Sequence, residues 1–216
     1  VDNGSSAETL AALQALVEGP SSALTLLAQG ENRGIGAAQN AGIAMARQHG
    51  SRYVLLLDHD SIPEADMVAT LRAAIEDQPA GSPPVAAAGP RYADARQTTN
   101  PSPFVQLEGF KRVRCECQHA GQLIEVEHLI ASGSLIPMAV LDAVGDMDER
   151  LFIDYVDIEW CLRAAHAGYR MLGVCDARMQ HELGDTPIRF MGKHLPDHSP
   201  LRHYYLFRNA LLLQRM

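Results

Sequence analysis

The chain has 216 residues, of which 47% are hydrophobic and 20% charged, and its formal net charge is −8. That is enough for one domain with a substantial core and the composition of an ordinary soluble protein. The acidic balance excludes the basic stripe that would neutralise many phosphates, so nucleic acid is not an expected partner, and no apolar run approaches the ~18 residues of a membrane helix.

Val1-Asp2-Asn3-Gly4-Ser5 reads as the end of a strand entering a turn. Ser5 and Glu8 make a capping-box pattern, and Leu10, Leu13, Leu16 and Val17 give the following helix an apolar face. Residues 23–28 are a strand candidate, 29–34 a polar loop, and 35–49 a helix stopped at Gly50. A short apolar strand over 53–57 and a helix over 64–77 follow. This alternation predicts parallel βαβ units in an α/β fold, a mostly parallel sheet flanked by helices.

Beyond a linker at 79–84, residues 85–89 read as a buried strand and 90–103 as a polar, Pro-rich loop. Segments 112–118 and 122–130 alternate like an antiparallel pair. A short helix at 139–144, an amphipathic helix at 156–167, a strand at 169–174 and a helix at 201–215 complete the chain. It is expected to be a single domain over 1–216, with a nucleotide-binding half (1–89) and an acceptor and catalytic half (90–216).

None of Cys115, Cys117, Cys161 and Cys175 shows C-x-x-C spacing. Cys115 and Cys117 stand too close to bridge within a strand, so free thiols in a reducing, cytoplasmic compartment are expected. Pro196 lies between His194 and His198, which reads as loop rather than a helical zinc pair.

Chemistry concentrates at a few places. The run Val54-Leu55-Leu56-Leu57 stops at Asp58 and Asp60, spaced i, i+2. In α/β sheets ligands gather at the carboxyl ends of strands. Carboxylates there can hold a hard divalent cation, and through it a diphosphate; an Asp-rich turn fits the same letters. Asp2-Asn3-Gly4-Ser5 can meet a base or ribose, or be an Asn-Gly turn. The glycines of Asn32-Arg33-Gly34-Ile35-Gly36 open a helix whose N-terminus favours anions. Gln39 occupies the third glycine position of G-x-G-x-x-G, so this is not a dinucleotide fingerprint.

Asp154 and Asp157, spaced i, i+3, would share a helical face, with Glu159 and Trp160 beside them. Crowded carboxylates can poise a general base; an acidic first helical turn is the alternative. His181 reads as a third metal or diphosphate contact, or as a structural histidine.

In this order these stretches resemble an inverting family 2 glycosyltransferase of the GT-A fold, most of all the bacterial rhamnosyltransferases that build cell-surface polysaccharide. The resemblance rests on residues 1–5, 32–42, 57–61 and 131–134, on Phe152-Ile-Asp-Tyr-Val-Asp-Ile-Glu-Trp-Cys-Leu-Arg163, and on His203-Tyr-Tyr-Leu-Phe-Arg-Asn209. It implies that Asp2 contacts the nucleoside, that Asn32 and Gly34 line the nucleotide pocket, and that Asp58 and Asp60 form the metal pair, with Asp60 the direct ligand. It places His181 at the metal, Asp157 as catalytic base, and Ser132, Gly133, Ser134, Asp154, Glu159 and Trp160 on the acceptor side. Mg2+ or Mn2+ is the implied cofactor.

The implied donor is a dTDP- or UDP-sugar, above all dTDP-rhamnose, and the acceptor a saccharide or lipid-linked saccharide. The C-terminal helix, with Arg202, Arg208 and Arg215, would permit peripheral contact with the inner membrane face. Many relatives carry Glu-Asp where this chain has Val156-Asp157. The family's first strand is expected to precede Val1, which would make the chain N-terminally incomplete. The alternatives are a nucleotidyltransferase, which would want a basic Gly-rich loop, and a non-catalytic sugar-nucleotide binding module.

Overall fold

The computed structural model describes all residues except 20–22, 95–101, 109–110, 182–187, 191–192, 196–198 and 215–216. Its first half contains α1 (Ala7–Val17), α2 (Ile35–Gln48), β1 (Tyr53–Leu55), β2 (Ile62–Pro63), α3 (Met67–Glu76) and β3 (Val85–Ala93). Then come β4 (Val105–Glu108), β5 (Lys111–Arg114), β6 (Leu123–Val126), β7 (Leu135–Pro137), α4 (Met138–Val144), α5 (Val156–His166), β8 (Arg170–Gln180), β9 (Ile188–Phe190), β10 (Lys193–Leu195) and α6 (Pro200–Leu213).

The main sheet runs β1-β7-β3-β8-β2, with β6 also on β8. It is mixed: β3 and β8 are parallel, whereas β1–β7, β3–β7, β6–β8 and β2–β8 are antiparallel. The α/β class and the flanking helices match the expectation, while the sheet is less parallel than the helix–strand alternation implied. Alternation of side chains across the sheet builds two cores. Ala87, Ile136 and Met171 join Ile43, Leu141 and Trp160 on one face; Ala88, Leu135 and Leu172 join Met67 and Leu71 on the other. Helices α2, α4 and α5 therefore cover one face and α3 the opposite one.

Several local expectations are corrected. The 23–28 stretch makes only an isolated parallel bridge, Asp2 with Ala28. Ser6, not Ser5, caps α1, its hydroxyl accepting from the Thr9 amide. β3 runs on through Pro90 to Ala93, while residues 95–101 of the expected loop lie outside the described ones. β5 pairs with β4 rather than with β6. His194 lies in strand β10, while His198 lies outside the described residues.

The expectation of four free thiols is overturned: Cys117 and Cys175 form a disulfide across 58 residues, leaving Cys115 and Cys161 free. The cause is strand docking. The Cys115 amide bonds to the Phe104 carbonyl and the Cys175 amide to the Gln122 carbonyl. This brings the Cα atoms of Cys117 and Cys175 to 5.7 Å, within bridging range. Among the described residues no helix is long and apolar enough to cross a membrane.

Candidate active site

The site begins where β1 ends. Pairing continues one residue past the strand, because the Leu56 amide bonds to the Ser134 carbonyl and the Gly133 amide to the Leu56 carbonyl. Gly133 has φ +85, and a Cβ there would stand 2.6 Å from Pro90 Cγ, so only glycine makes this turn without strain or overlap. Ser134 is turned inward, its hydroxyl donating to the Ile130 carbonyl at 2.6 Å.

Ser132 meets the acidic pair instead. Its Oγ accepts from the Asp58 amide at 3.1 Å and lies 2.7 Å from Ser61 Oγ, which lies 2.8 Å from His181 Nδ1. This relay of buried hydroxyls fixes the imidazole at the end of β8. The His181 amide bonds to the Ala93 carbonyl, and the Tyr92 ring meets the imidazole edge-on at 5.8 Å.

Asp58, Asp60 and His181 each offer one ligand atom, all within 4.8 Å of one another. His181 Nδ1 is 3.2 Å from Asp60 Oδ1. Burial pushes the Asp58 carboxyl above the usual carboxylate range; His181 opposes the shift and Asp60 adds to it. Two carboxylates and one imidazole suit a divalent cation such as Mg2+ or Mn2+, so the donor set fits the expected ion. Ser61 holds the His181 imidazole in place through its hydroxyl. Its replacement by Ala is expected to weaken apparent Mn2+ affinity roughly 10- to 100-fold, as loss of such supporting bonds does. Metal titration of the purified variant checks this.

The opposite wall comes from the segment before α5. Phe152, Asp154 and Tyr155 all have positive φ, at 63°, 62° and 67°. Non-glycine residues seldom hold that conformation unless their surroundings enforce it. Here α6 enforces it. Buried Asn209 Nδ2 donates to the carbonyls of Leu151, Ile153 and Asp154 at 2.8, 2.9 and 3.0 Å. Tyr205 stacks on Phe152 at 4.8 Å, and Arg202 pairs with Asp154 at 3.0 Å. Asp154 is therefore not on a helical face with Asp157; α5 starts only at Val156.

Replacing Asn209 by Leu strands the carbonyls of Ile153 and Asp154, while that of Leu151 keeps the Ile153 amide. The expected loss is about 2–4 kcal/mol of folding stability, measurable by urea denaturation.

Asp157 sits in the first turn of α5. Oδ1 accepts from the Ile158 amide at 2.9 Å and Oδ2 from the Ala131 amide at 3.3 Å. The carboxyl keeps an opening but is otherwise crowded by protein. That burial is the main cause raising its pKa, against the lowering by the two amides and by nearby His128. Asp58, His181, Ser132, Asp154 and Asp157 line one cleft of about 680 Å³.

Residues 1–121 match the family described as Glycosyl transferase family 2. The chain belongs to this family. It is 34% identical over 191 residues to the dTDP-rhamnosyl transferase RfbF of Shigella flexneri, an alignment that covers 88% of this chain and 62% of that protein. The chain thus spans less than two thirds of that relative's length. Among solved structures it resembles GalNAc-T7 with UDP, GalNAc and Mn2+, at a TM-score of 0.67, 15% identity and coverage of 95% of this chain and 40% of that one. It also resembles TarS of S. aureus, at 0.60, 14% identity and coverage of 86% and 30%. These likenesses fix the fold as GT-A.

Not every expected residue of a family 2 site reaches the cleft. Glu159 turns inward to Arg163 one turn on, at 2.8 Å, while Arg163 donates to the Val144 carbonyl and Trp160 Nε1 to the Gly145 carbonyl, tying α5 to the end of α4. Both are buried, and neither lines the cleft that holds Asp157. Asp2, Asn32 and Gly34 form a separate knot. Asp2 accepts from the Gly4 and Ser5 amides, and its bonds with Ser5 lower its pKa. Asn32 Oδ1 accepts from the Gly34 amide and from Asn3 Nδ2. Gly34, at φ +90, packs where a Cβ would stand 2.7 Å from the Phe152 carbonyl oxygen. This joins the head of α2 to the strained segment.

Ser61 and Asn209 were not singled out by side-chain chemistry, and Arg202 was read for its charge alone rather than as the partner of Asp154. Ser61 directly follows the Asp-x-Asp, and Asn209 ends the His203–Asn209 string, so adjacency and resemblance were the only signals.

Proposed function

We propose that this chain is the catalytic part of an inverting, metal-dependent glycosyltransferase that moves L-rhamnose from dTDP-rhamnose to a saccharide or lipid-linked saccharide. The observation that carries the reading is the opening of Asp58, His181 and Asp157 onto one cleft. The relationship to a dTDP-rhamnosyl transferase supports dTDP-rhamnose as donor.

In this reading Asp58, Asp60 and His181 would hold Mg2+ or Mn2+, which when bound supplies positive charge to the diphosphate leaving group. Ser132 and Ser61 keep that ligand set oriented. Asp157 accepts the proton of an acceptor hydroxyl while the hydroxyl oxygen forms its bond to the anomeric carbon and the bond to the diphosphate breaks. A carboxyl whose pKa burial has raised is a stronger base than an exposed one. Its backbone bonds to Ala131 and Ile158 hold it fixed for in-line attack. The knot around Asp2, Asn32 and Gly34 borders the nucleoside end. Asp154, neutralised by Arg202, shapes the rim at which the acceptor enters.

The test is incubation with dTDP-L-rhamnose, Mg2+ and saccharide acceptors, with products read by mass spectrometry and NMR. A rhamnoside of inverted anomeric configuration together with free dTDP is expected. Pyrophosphate release would instead identify a nucleotidyltransferase. Binding of dTDP-rhamnose without any turnover would identify a binding module.

A further inference from the structure

Near Asp157 two buried polar atoms make no hydrogen bond. Glu127 Oε2 and His128 Nδ1 are shielded from solvent, and neither makes a hydrogen bond. They lie 3.9 Å apart, too far to satisfy each other. Arg112 Nε comes within 3.5 Å of Glu127 Oε2 as an ion pair without hydrogen-bond alignment. Buried polar groups in folded proteins nearly always find a partner, and those that do not call for one from outside the chain.

Each residue lines a pocket, and the larger of the two, of about 680 Å³, is within the ~300–1,000 Å³ usual for small-ligand sites. Glu127 and Arg112 line the cleft that holds Asp157. His128 lines an adjoining side pocket of about 70 Å³ with Tyr92, Phe104 and Ser132. The two spaces share Ile130 and Ser132. His128 is near enough to Asp157 to bear on its charge.

We infer that Glu127 and His128 form an acceptor subsite that binds two neighbouring hydroxyls of a pyranose ring. A carboxylate oxygen accepts from one hydroxyl, the imidazole nitrogen accepts from or donates to the next, and Arg112 can donate to either oxygen. A sugar so held presents a further hydroxyl towards Asp157. This rests on the glycosyltransferase reading and adds to it the class of acceptor group and the residues that select it.

The test measures binding by saturation-transfer NMR, which needs no turnover. Probes are the methyl glycosides of rhamnose, glucose, galactose, mannose and N-acetylglucosamine, each added with dTDP and Mg2+. Wild type is expected to bind at least one of them. In Glu127→Gln and His128→Phe its dissociation constant should rise at least 10-fold, while that of dTDP stays within twofold. Removing the contacted hydroxyl from the probe should weaken binding to wild type by a similar factor and leave the variants unchanged, a pattern that a merely structural role would not produce. If His128→Phe fails to fold, the conservative Glu127→Gln decides. Unchanged glycoside binding in the variants, or dTDP binding with no glycoside bound, overturns the inference and leaves the donor reading standing. Failure of dTDP itself to bind overturns both.

Discussion

Asp157→Asn is expected to lower kcat roughly a hundred- to ten-thousand-fold, the contribution of a positioned general base, with little change in dTDP affinity. The amide keeps the shape of the carboxyl but takes no proton. Because burial raises the pKa of Asp157, the acid limb of kcat in the wild type should lie above the ordinary carboxylate value of about 4. Activity should fall as the pH drops through that limb, and the limb should vanish from the residual activity of the variant.

The effect on stability has a definite sign. A carboxyl with a raised folded pKa favours folding below its unfolded pKa, and that contribution is lost as pH rises through the folded pKa. At neutral pH the variant therefore escapes a buried charge, but it offers one oxygen instead of two to the amides of Ile158 and Ala131. The two changes oppose each other, so Tm should move by only a few degrees. A fall in Tm parallel to the fall in kcat would point to a structural role instead.

Asp60→Ala should produce a loss of similar size by a different route. It removes one carboxylate from a three-member ligand set and leaves Asp58 and His181. Charge stabilisation on a departing diphosphate amounts to several kcal/mol, and each ~1.4 kcal/mol is a factor of ten in rate. Turnover with Mg2+ should drop roughly a hundred- to ten-thousand-fold and recover only in part at high Mn2+ concentration. Unlike Asp157→Asn, this variant should also lose the metal-dependent part of dTDP binding. Since Asp60 stands beside another carboxylate, folding should not suffer. Steady-state kinetics across metal concentrations separates the two variants.

Local patterns in the sequence located what local forces decide. The apolar periodicity and end signals around α2, α5 and α6 gave helices within a few residues of those observed. The abrupt stop at Asp58 marked the acidic pair. Long-range pairing was not legible, because partners chosen across tens of residues leave no trace in spacing. β5 pairs with β4 and not β6, and Cys117 meets Cys175 only because both flanking segments dock on neighbouring strands.

The helical-face argument for Asp154 and Asp157 assumed right-handed backbone, whereas residues 152, 154 and 155 are held left-handed by contacts from α6, some 50 residues away. Glu159 is paired within its own helix. An acidic residue in a first helical turn looked available to substrate, yet its partner is Arg163 one turn on. The missing hydrogen bonds at Glu127 Oε2 and His128 Nδ1 are a property of packing alone, with no counterpart in the letters.

Two acidic sites with separate duties, one anchoring the donor through a cation and one receiving a proton, are the core of this account. Calorimetric titration of dTDP, with Mg2+ and then with EDTA, into wild type, Asp60→Ala and Asp157→Asn tests it most directly. Binding that requires Mg2+ in wild type and Asp157→Asn, and that is abolished in Asp60→Ala, is the predicted result. Equal binding in EDTA, or binding lost with Asp157 and kept without Asp60, would contradict it.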